Sequence, residues 1–364
     1  MTAVAPAIAI EMTDSPVPAE ERNRLIADPG FGRVFSDHMA IIRYTSGTGW
    51  HDAKVTARRP LTVDSASSVL HYAQEIFEGM KAYRHANGHI ALFRPDANAR
   101  RFQDSARRMV MPELPTELFV ESVKALVRAD RDWIPPGDEA SLYLRPFLFA
   151  SEVFLGVKPA DEYIYAVIAS AVGGYFKKGA KSVSVWATRE YTRAAPGGTG
   201  AAKTGGNYAA SLIALAEANR NGCEQVVFLD AVERRWVEEL GGMNVFFVFE
   251  DGSLQTPPLG GTILAGITRD SLIQLAREEG LAVREEPYSI EQWREDAASG
   301  RLTEAFACGT AAVVTPIGSV KSVEGSFSIG GQSVGPLTQR LRARLVDIQR
   351  GRAPDPHGWV HRVV

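Results

Sequence analysis

Gly197-Gly198-Thr199-Gly200-Ala201-Ala202-Lys203-Thr204-Gly205-Gly206-Asn207-Tyr208 sets one lysine among five glycines, just ahead of a helical pattern. A phosphate-cradling P-loop needs glycine directly before Lys-Ser/Thr, and Ala202 stands there. The dinucleotide pattern fails as well, because Lys203 occupies the place of its last glycine. What remains is a lysine whose flanking backbone can approach a flat ligand, since glycine has no Cβ and tolerates positive φ. Once it loses its proton, a lysine condenses with an aldehyde to a Schiff base, and pyridoxal phosphate is the common partner. The plain alternative is a solvated lysine on a surface turn.

Pyridoxal phosphate makes three further demands, and the sequence offers a candidate for each. Its phosphate needs an anion site, which the N–H groups and hydroxyl of Gly266-Ile267-Thr268-Arg269 could supply at a helix start. The pyridine nitrogen needs a carboxylate to keep it protonated, so that the ring draws electrons. Glu238 and Glu239 are the candidates, and strand alternation points one of them inward. The ring hydroxyl needs a partner, and Tyr208 lies beside the Gly205-Gly206 pair. Helix capping, a solvated turn and a core tyrosine are the respective alternatives. Other chemistries find no anchor. His85 and His89 straddle a turn at Asn87-Gly88, and His357 and His361 have no third ligand, so no metal site is expected. No G-x-S-x-G elbow is present.

These groups must be positioned by a chain of 364 residues, which suggests two domains. It is 45% hydrophobic and 23% charged, as soluble globular proteins are. A formal charge of -3 removes the usual electrostatic case for nucleic acid or anionic membranes. Cys223 and Cys308 build no disulfide framework, no stretch approaches the ~20 apolar residues of a membrane span, and the N-terminus lacks a secretory pattern. A reducing cytoplasm is expected.

The reading is mixed α/β (α+β) in two domains: an arm over 1–30, a smaller domain over 31–172, a glycine- and lysine-rich linker over 173–182, and a larger domain over 183–364 that carries Lys203. Gly79 to Phe93 reads as a hairpin with a type I′ turn at Asn87-Gly88. Asn98 to Val110 and Glu117 to Trp133 read as helices, the latter on the spacing of Phe119, Val123, Leu126 and Val127. Ser141 to Ala150 reads as a strand. Beyond the linker, Asn207 to Asn219 is a helix and Gln225 to Asp230 a buried strand. Asn244 to Phe249 and Leu254 to Thr256 form a hairpin about Asp251-Gly252, and Thr268 N-caps a helix that runs to Glu279.

The ordered segments closely resemble the branched-chain amino-acid aminotransferases, fold-type IV pyridoxal phosphate enzymes, and look most like their actinobacterial members. The resemblance runs from Phe31 to Trp359 through Asp37-His38-Met39, His71 to Tyr83 with Phe77-Glu78-Gly79, Leu92 to Pro95, Tyr143-Leu144-Arg145-Pro146, Gly173 to Phe176, Arg193 to Tyr208, Glu239 to Phe246, Gly266 to Arg269, and Gly309 to Ala312. It implies that Lys203 is the Schiff-base lysine and proton shuttle, that Glu239 pairs with the pyridine nitrogen, and that Tyr208 bonds the ring hydroxyl. Arg101 with Ile267 and Thr268 would hold the phosphate, and Arg193 would lie near the cofactor. Thr310 and Ala311 would receive the substrate α-carboxylate, with Thr310 also near the cofactor. Phe31, Tyr72, Phe77, Tyr143, Arg145 and Tyr175 would line the side-chain pocket.

The implied reaction is ping-pong transfer from L-leucine, L-isoleucine or L-valine to 2-oxoglutarate. One pocket then holds an aliphatic branch against Phe31, Phe77 and Tyr175, and a carboxylate near Arg145, Tyr72 and Tyr143. The family's CxxC redox pair is absent, because those positions are Ala312 and Thr315. Cys308 is expected to be a small buried residue. A homodimer is implied, with the partner lining part of each site. The alternatives are a D-amino-acid aminotransferase, an aminodeoxychorismate lyase, a non-catalytic cofactor carrier, or a plain interaction module.

Overall fold

The computed structural model describes residues 7–173, 182–331 and 334–364, and the chain packs as two units. One comprises Met1–Lys177, Ala202–Gly205 and Asp347–Val364; the other comprises Lys178–Ala201 and Gly206–Val346. The elements ahead of the linker are β1 (Ala9–Ile10), α1 (Ala19–Ala27), β2 (Val34–Thr45), β3 (Gly49–Ala57), α2 (Ser68–Tyr72), β4 (Glu75–Phe77), β5 (Met80–Arg84), β6 (Ile90–Phe93), α3 (Pro95–Arg108), α4 (Thr116–Ala129), β7 (Ser141–Ala150) and β8 (Glu162–Val172). After it come β9 (Val183–Thr188), α5 (Gly205–Arg220), β10 (Gln225–Leu229), β11 (Val237–Leu240), β12 (Asn244–Phe249), β13 (Leu254–Thr256), α6 (Ile267–Glu278), β14 (Val283–Glu285), α7 (Ile290–Ser299), β15 (Leu302–Gly309), β16 (Val313–Ser322), β17 (Gly325–Ser328), α8 (Pro336–Gln349) and β18 (Val360–Arg362).

The first unit is built on a sheet of order β1-β3-β2-β8-β7-β5-β6-β18, with β4 paired to β7. Helices α3 and α4 seal one of its faces. Phe119, Val123, Leu126 and Val127, the helical spacing read from the sequence, are all buried and join Phe102, Trp133, Leu142, Leu144 and Tyr165 in one core. Alternation along β7 turns Leu142, Leu144 and Leu148 into that core and leaves Tyr143, Arg145 and Phe147 half-buried on the other face. A strand with one sealed face thus presents a row of half-buried side chains on its second.

The second unit holds a sheet of order β11-β10-β9-β16-β15-β12-β13-β14, with β17 on β16. Strand β9 runs parallel to both β10 and β16, whereas β12, β15 and β16 are antiparallel. Phe246 stacks on Phe306, and Phe247 packs against Tyr288 and Trp293. Among the described residues, no helix is long and apolar enough to cross a membrane.

The mixed α and β composition read from the sequence is present, and the local differences have physical causes. The β5–β6 hairpin closes over five residues, since Arg84 pairs with Ile90. Gly88 has positive φ and Asn87 does not, so the turn is not type I′. The β12–β13 hairpin likewise has positive φ at Gly252 but not at Asp251. Gly266, not Thr268, is the N-cap of α6, and Thr268 falls in its first turn. Residues 202–205, with Lys203, group with the first unit because the Phe77 N–H donates to the Lys203 carbonyl (2.9 Å). Residues 347–364 do so because β18 pairs with β6. Most of the expected linker, 174–181, lies outside the described residues.

Candidate active site

Lys203 lies in the first unit, among charged and aromatic side chains. Its Nζ lies 4.8 Å from the centroid of the Phe77 ring, and the Arg145 guanidinium lies 4.7 Å from the same centroid. Burial, reinforced by the nearby Arg101 and Arg145 charges and opposed by Glu78 and Tyr143, lowers the amine from 10.5 to about 8. It is therefore in part a free base near neutral pH. In apoprotein, labelling of Lys203 by an amine-directed acylating reagent is expected to rise with a midpoint near pH 8, measured by peptide mass spectrometry across pH. The sign follows from the lowered value: the reactive neutral amine forms at lower pH than in an exposed lysine. A midpoint above about 10 contradicts this environment.

Arg101 is held by Glu78. The Glu78 carboxylate is fully buried and accepts from Arg101 Nε (2.7 Å) and Nη2 (2.8 Å) and from Asn98 Nδ2 (2.7 Å). Burial opposes its charge, yet Arg101, Lys203 and Asn98 together hold its carboxyl below the ordinary value. Of the five N–H donors of a guanidinium, this fork engages two.

Arg145 Nη2 donates to the Tyr143 hydroxyl (3.1 Å), while its buried Nε has no hydrogen-bond partner. A planar donor fork with an unanswered N–H is suited to a carboxylate. A Cβ at Gly79 would collide with the Tyr143 hydroxyl, so only glycine admits that ring. Phe31 meets Tyr143 edge-on at 5.2 Å. Tyr72, 40% exposed, donates its hydroxyl to the Leu155 carbonyl. Tyr175 lies outside the described residues.

The second unit gathers a different set. Glu239, on β11, is buried; its Oε2 lies 2.8 Å from Arg193 Nε and its Oε1 accepts the Leu264 N–H (2.6 Å). Arg193 Nη1 also donates to the carbonyls of Thr262 (2.9 Å) and Gly200 (3.3 Å). The neighbouring Glu238 turns the other way and accepts from the Thr262 hydroxyl (2.5 Å). Alternation thus separates the two glutamates, and Glu239 is the one with a cationic partner. Arg193, Tyr208, Leu212, Gly241 and Gly242 line a cavity of about 160 Å³.

Asn207 is tied to Thr199 by two hydrogen bonds of 2.6 and 2.9 Å, which close the glycine-rich loop onto the start of α5. Ile267 and Thr268 open α6, where first-turn N–H groups have no acceptor within the helix and favour an anion. Thr310 and Ala311 form the turn between β15 and β16. Cys308 is buried, which pushes its thiol pKa up and leaves it unreactive.

Three residues that touch this machinery were not assigned roles from the sequence: Glu75, Glu78 and Ser105. Ser105 Oγ accepts the Lys203 N–H (2.9 Å), and Glu75 accepts from Thr204 and Gly205. A signal for Glu78 exists, an acid placed between Phe77 and Gly79 in a run whose neighbours are apolar. Ser105 carries none, because a serine inside a helix is ordinary.

Residues 75–320 match the family described as amino-transferase class IV. The chain is 54% identical over 357 residues to a probable branched-chain-amino-acid aminotransferase of Streptomyces coelicolor, with 98% of each chain covered. It is 54% identical over 358 residues to a branched-chain-amino-acid aminotransferase of Mycolicibacterium smegmatis, with 97% of each covered. Among solved structures it is similar to the branched-chain amino acid aminotransferase of Thermobaculum terrenum in its PLP-form: TM-score 0.71, 26% identity, 89% of this chain and 98% of that one.

Proposed function

The chain belongs to the amino-transferase class IV family and is a transaminase, and from that premise we propose that it uses pyridoxal 5'-phosphate to move the amino group of L-leucine, L-isoleucine or L-valine to 2-oxoglutarate, releasing a branched 2-oxo acid and L-glutamate. Its curated relatives carry the branched-chain name at 54% identity, and the similar Thermobaculum terrenum structure is of the PLP-form.

The donor set fits the group. In the first unit the lowered Lys203 amine and the Arg101 guanidinium suit an aldehyde and a phosphate; in the second, the N-terminus of α6 suits a phosphate and the Arg193-backed Glu239 carboxylate a basic ring nitrogen. Lys203 would bind it covalently, Tyr208 would bond its ring hydroxyl, and Glu239 its pyridine nitrogen. Arg101, Ile267 and Thr268 would hold its phosphate. When bound, the cofactor supplies a carbonyl for amino exchange and a ring that accepts the electron pair left at Cα. Lys203, free of its proton, would take the Cα proton and deliver it to the cofactor's carbonyl-derived carbon, on the far side of the amino nitrogen. The buried Glu239 carboxylate would meet the ring nitrogen with Arg193 on one oxygen and the Leu264 N–H on the other. Thr310 and Ala311 would orient the α-carboxylate.

The observation that carries the reading is the Lys203 amine, lowered to about 8 beside a buried arginine–carboxylate pair. Exchange assays across leucine, isoleucine, valine and D-alanine with 2-oxoglutarate test it. Leucine turnover without D-alanine turnover is expected, and the reverse overturns it.

Arg145 divides the two substrates. Arg145→Leu is expected to lower kcat/KM for glutamate by about 10²-fold or more, because a γ-carboxylate loses its charged donor, while leucine stays within about fivefold of wild type. Equal loss for both substrates would assign Arg145 a structural role.

A homodimer accords with the exposed apolar group Leu70, Tyr72, Val153, Phe154, Leu155 and Val157 on the first unit. A second copy would cover it.

A further inference from the structure

We propose that Glu75 is a positioning residue for the Lys203 amine, its carboxylate clamping the Thr204–Gly205 peptide so that the lysine is presented over Phe77. The inference rests on Lys203 being the reacting amine. Strand β4 is three residues long and pairs with β7 at Glu75↔Phe149 and Phe77↔Phe147. With a period of two, Ile76 enters the core at 0% exposure, while Glu75 and Phe77 share the opposite face.

Strand β4 makes three hydrogen bonds to three consecutive residues, one through its backbone and two through the Glu75 side chain. The Phe77 N–H donates to the Lys203 carbonyl (2.9 Å), the Thr204 hydroxyl donates to Glu75 Oε1 (3.1 Å), and the Gly205 N–H donates to the same oxygen. Ser105 receives the Lys203 N–H from the other side. The backbone on both sides of the lysine Cα is therefore pinned, and the Phe77 ring that meets Nζ sits on the same short strand.

Glu75 also serves the first N–H of α5, which has no acceptor within the helix. Gly205 makes the approach possible, since a Cβ there would lie 2.6 Å from Glu75 Oε1. Because β4 is held in register on β7, which carries Arg145 and Tyr143, one rail sets both the amine and the pocket residues. The two bonds that the Glu75 carboxylate accepts come from the Thr204 hydroxyl and the Gly205 N–H, in the residues that follow the lysine.

The test compares Glu75→Ala, Glu75→Gln and Thr204→Ala with wild type in holoenzyme and apoprotein. Loss of the clamp lets Lys203 drift, and a displacement of about 1 Å can cost about 10²-fold in rate. Glu75→Ala is expected to lower kcat by about 10- to 100-fold, with KM for leucine and 2-oxoglutarate within about threefold, and to move the pH midpoint of Lys203 acylation in apoprotein. Glu75→Gln, whose carboxamide oxygen accepts the same two bonds, is expected to recover kcat to within about fivefold of wild type. Should the alanine variant fail to fold, Thr204→Ala, which removes one bond, is expected to lower kcat severalfold. Wild-type kcat in Glu75→Ala or Thr204→Ala overturns the proposal, as does a Glu75→Gln variant no better than alanine. An active Lys203→Ala enzyme would instead overturn the functional reading itself, so the two failures are distinguishable.

Discussion

Lys203→Ala is expected to lower leucine–2-oxoglutarate exchange by more than about 10⁴-fold while the protein stays folded, measured as kcat with the melting temperature recorded beside it. The size follows from one side chain holding two duties. On the proposed reading it would anchor the cofactor covalently and would carry the Cα proton to the cofactor carbon, a step that general-base catalysis alone accelerates by about 10²–10⁴-fold. The structure separates this loss from unfolding. The amine is lowered to about 8, chiefly by burial, so the folded state disfavours its charge. A lysine with a lowered value opposes folding below pH 8, and that opposition fades as pH rises toward 10.5. Alanine removes it, so at pH 7 the melting temperature is expected to hold or rise. A variant both inactive and markedly less stable would point to a structural lysine.

Glu239→Gln is the second large effect, with kcat expected to fall by about 10²–10³-fold and KM nearly unchanged. A carboxylate opposite the pyridine nitrogen matters when charge develops at Cα, not when substrate binds, so its loss belongs to kcat. Glutamine keeps the shape but cannot balance Arg193, whose Nε is 2.8 Å from the Glu239 carboxylate and whose exposure is 6%. Breaking a buried pair by neutralising one partner costs about 3–5 kcal/mol, so a lower melting temperature accompanies the kinetic loss. Glu239→Asp, which keeps the charge, is expected to recover part of both. A Glu239→Gln enzyme with raised KM and normal kcat would remove Glu239 from the ring nitrogen.

Legibility in the sequence followed the range of each interaction. Periodicity found α4, because burial of Phe119, Val123, Leu126 and Val127 on one side is a local pattern, and the strand read over Ser141 to Ala150 is the span of β7. Alternation also separated Glu239 from Glu238. Turn chemistry was less legible. Asn87-Gly88 marks a turn, yet the five-residue loop it sits in uses positive φ at Gly88 alone. The grouping of Lys203 with β4 and α3 was not legible at all. It depends on hydrogen bonds between residues 77 and 203 and between 105 and 203, and no sequence pattern encodes a pairing across such separations. The same reason hid Glu75, which reads as an ordinary charge until the topology brings Gly205 to it.

The central claim is that one amine, in the glycine-rich segment, joins the cofactor. Holoenzyme loaded with pyridoxal 5'-phosphate, reduced with borohydride, digested and mapped by mass spectrometry puts that claim to its most direct trial. The expected result is a stable pyridoxyl adduct on the peptide carrying Lys203, and none in Lys203→Ala. An adduct on another lysine, or no adduct on a fully active enzyme, would contradict the account.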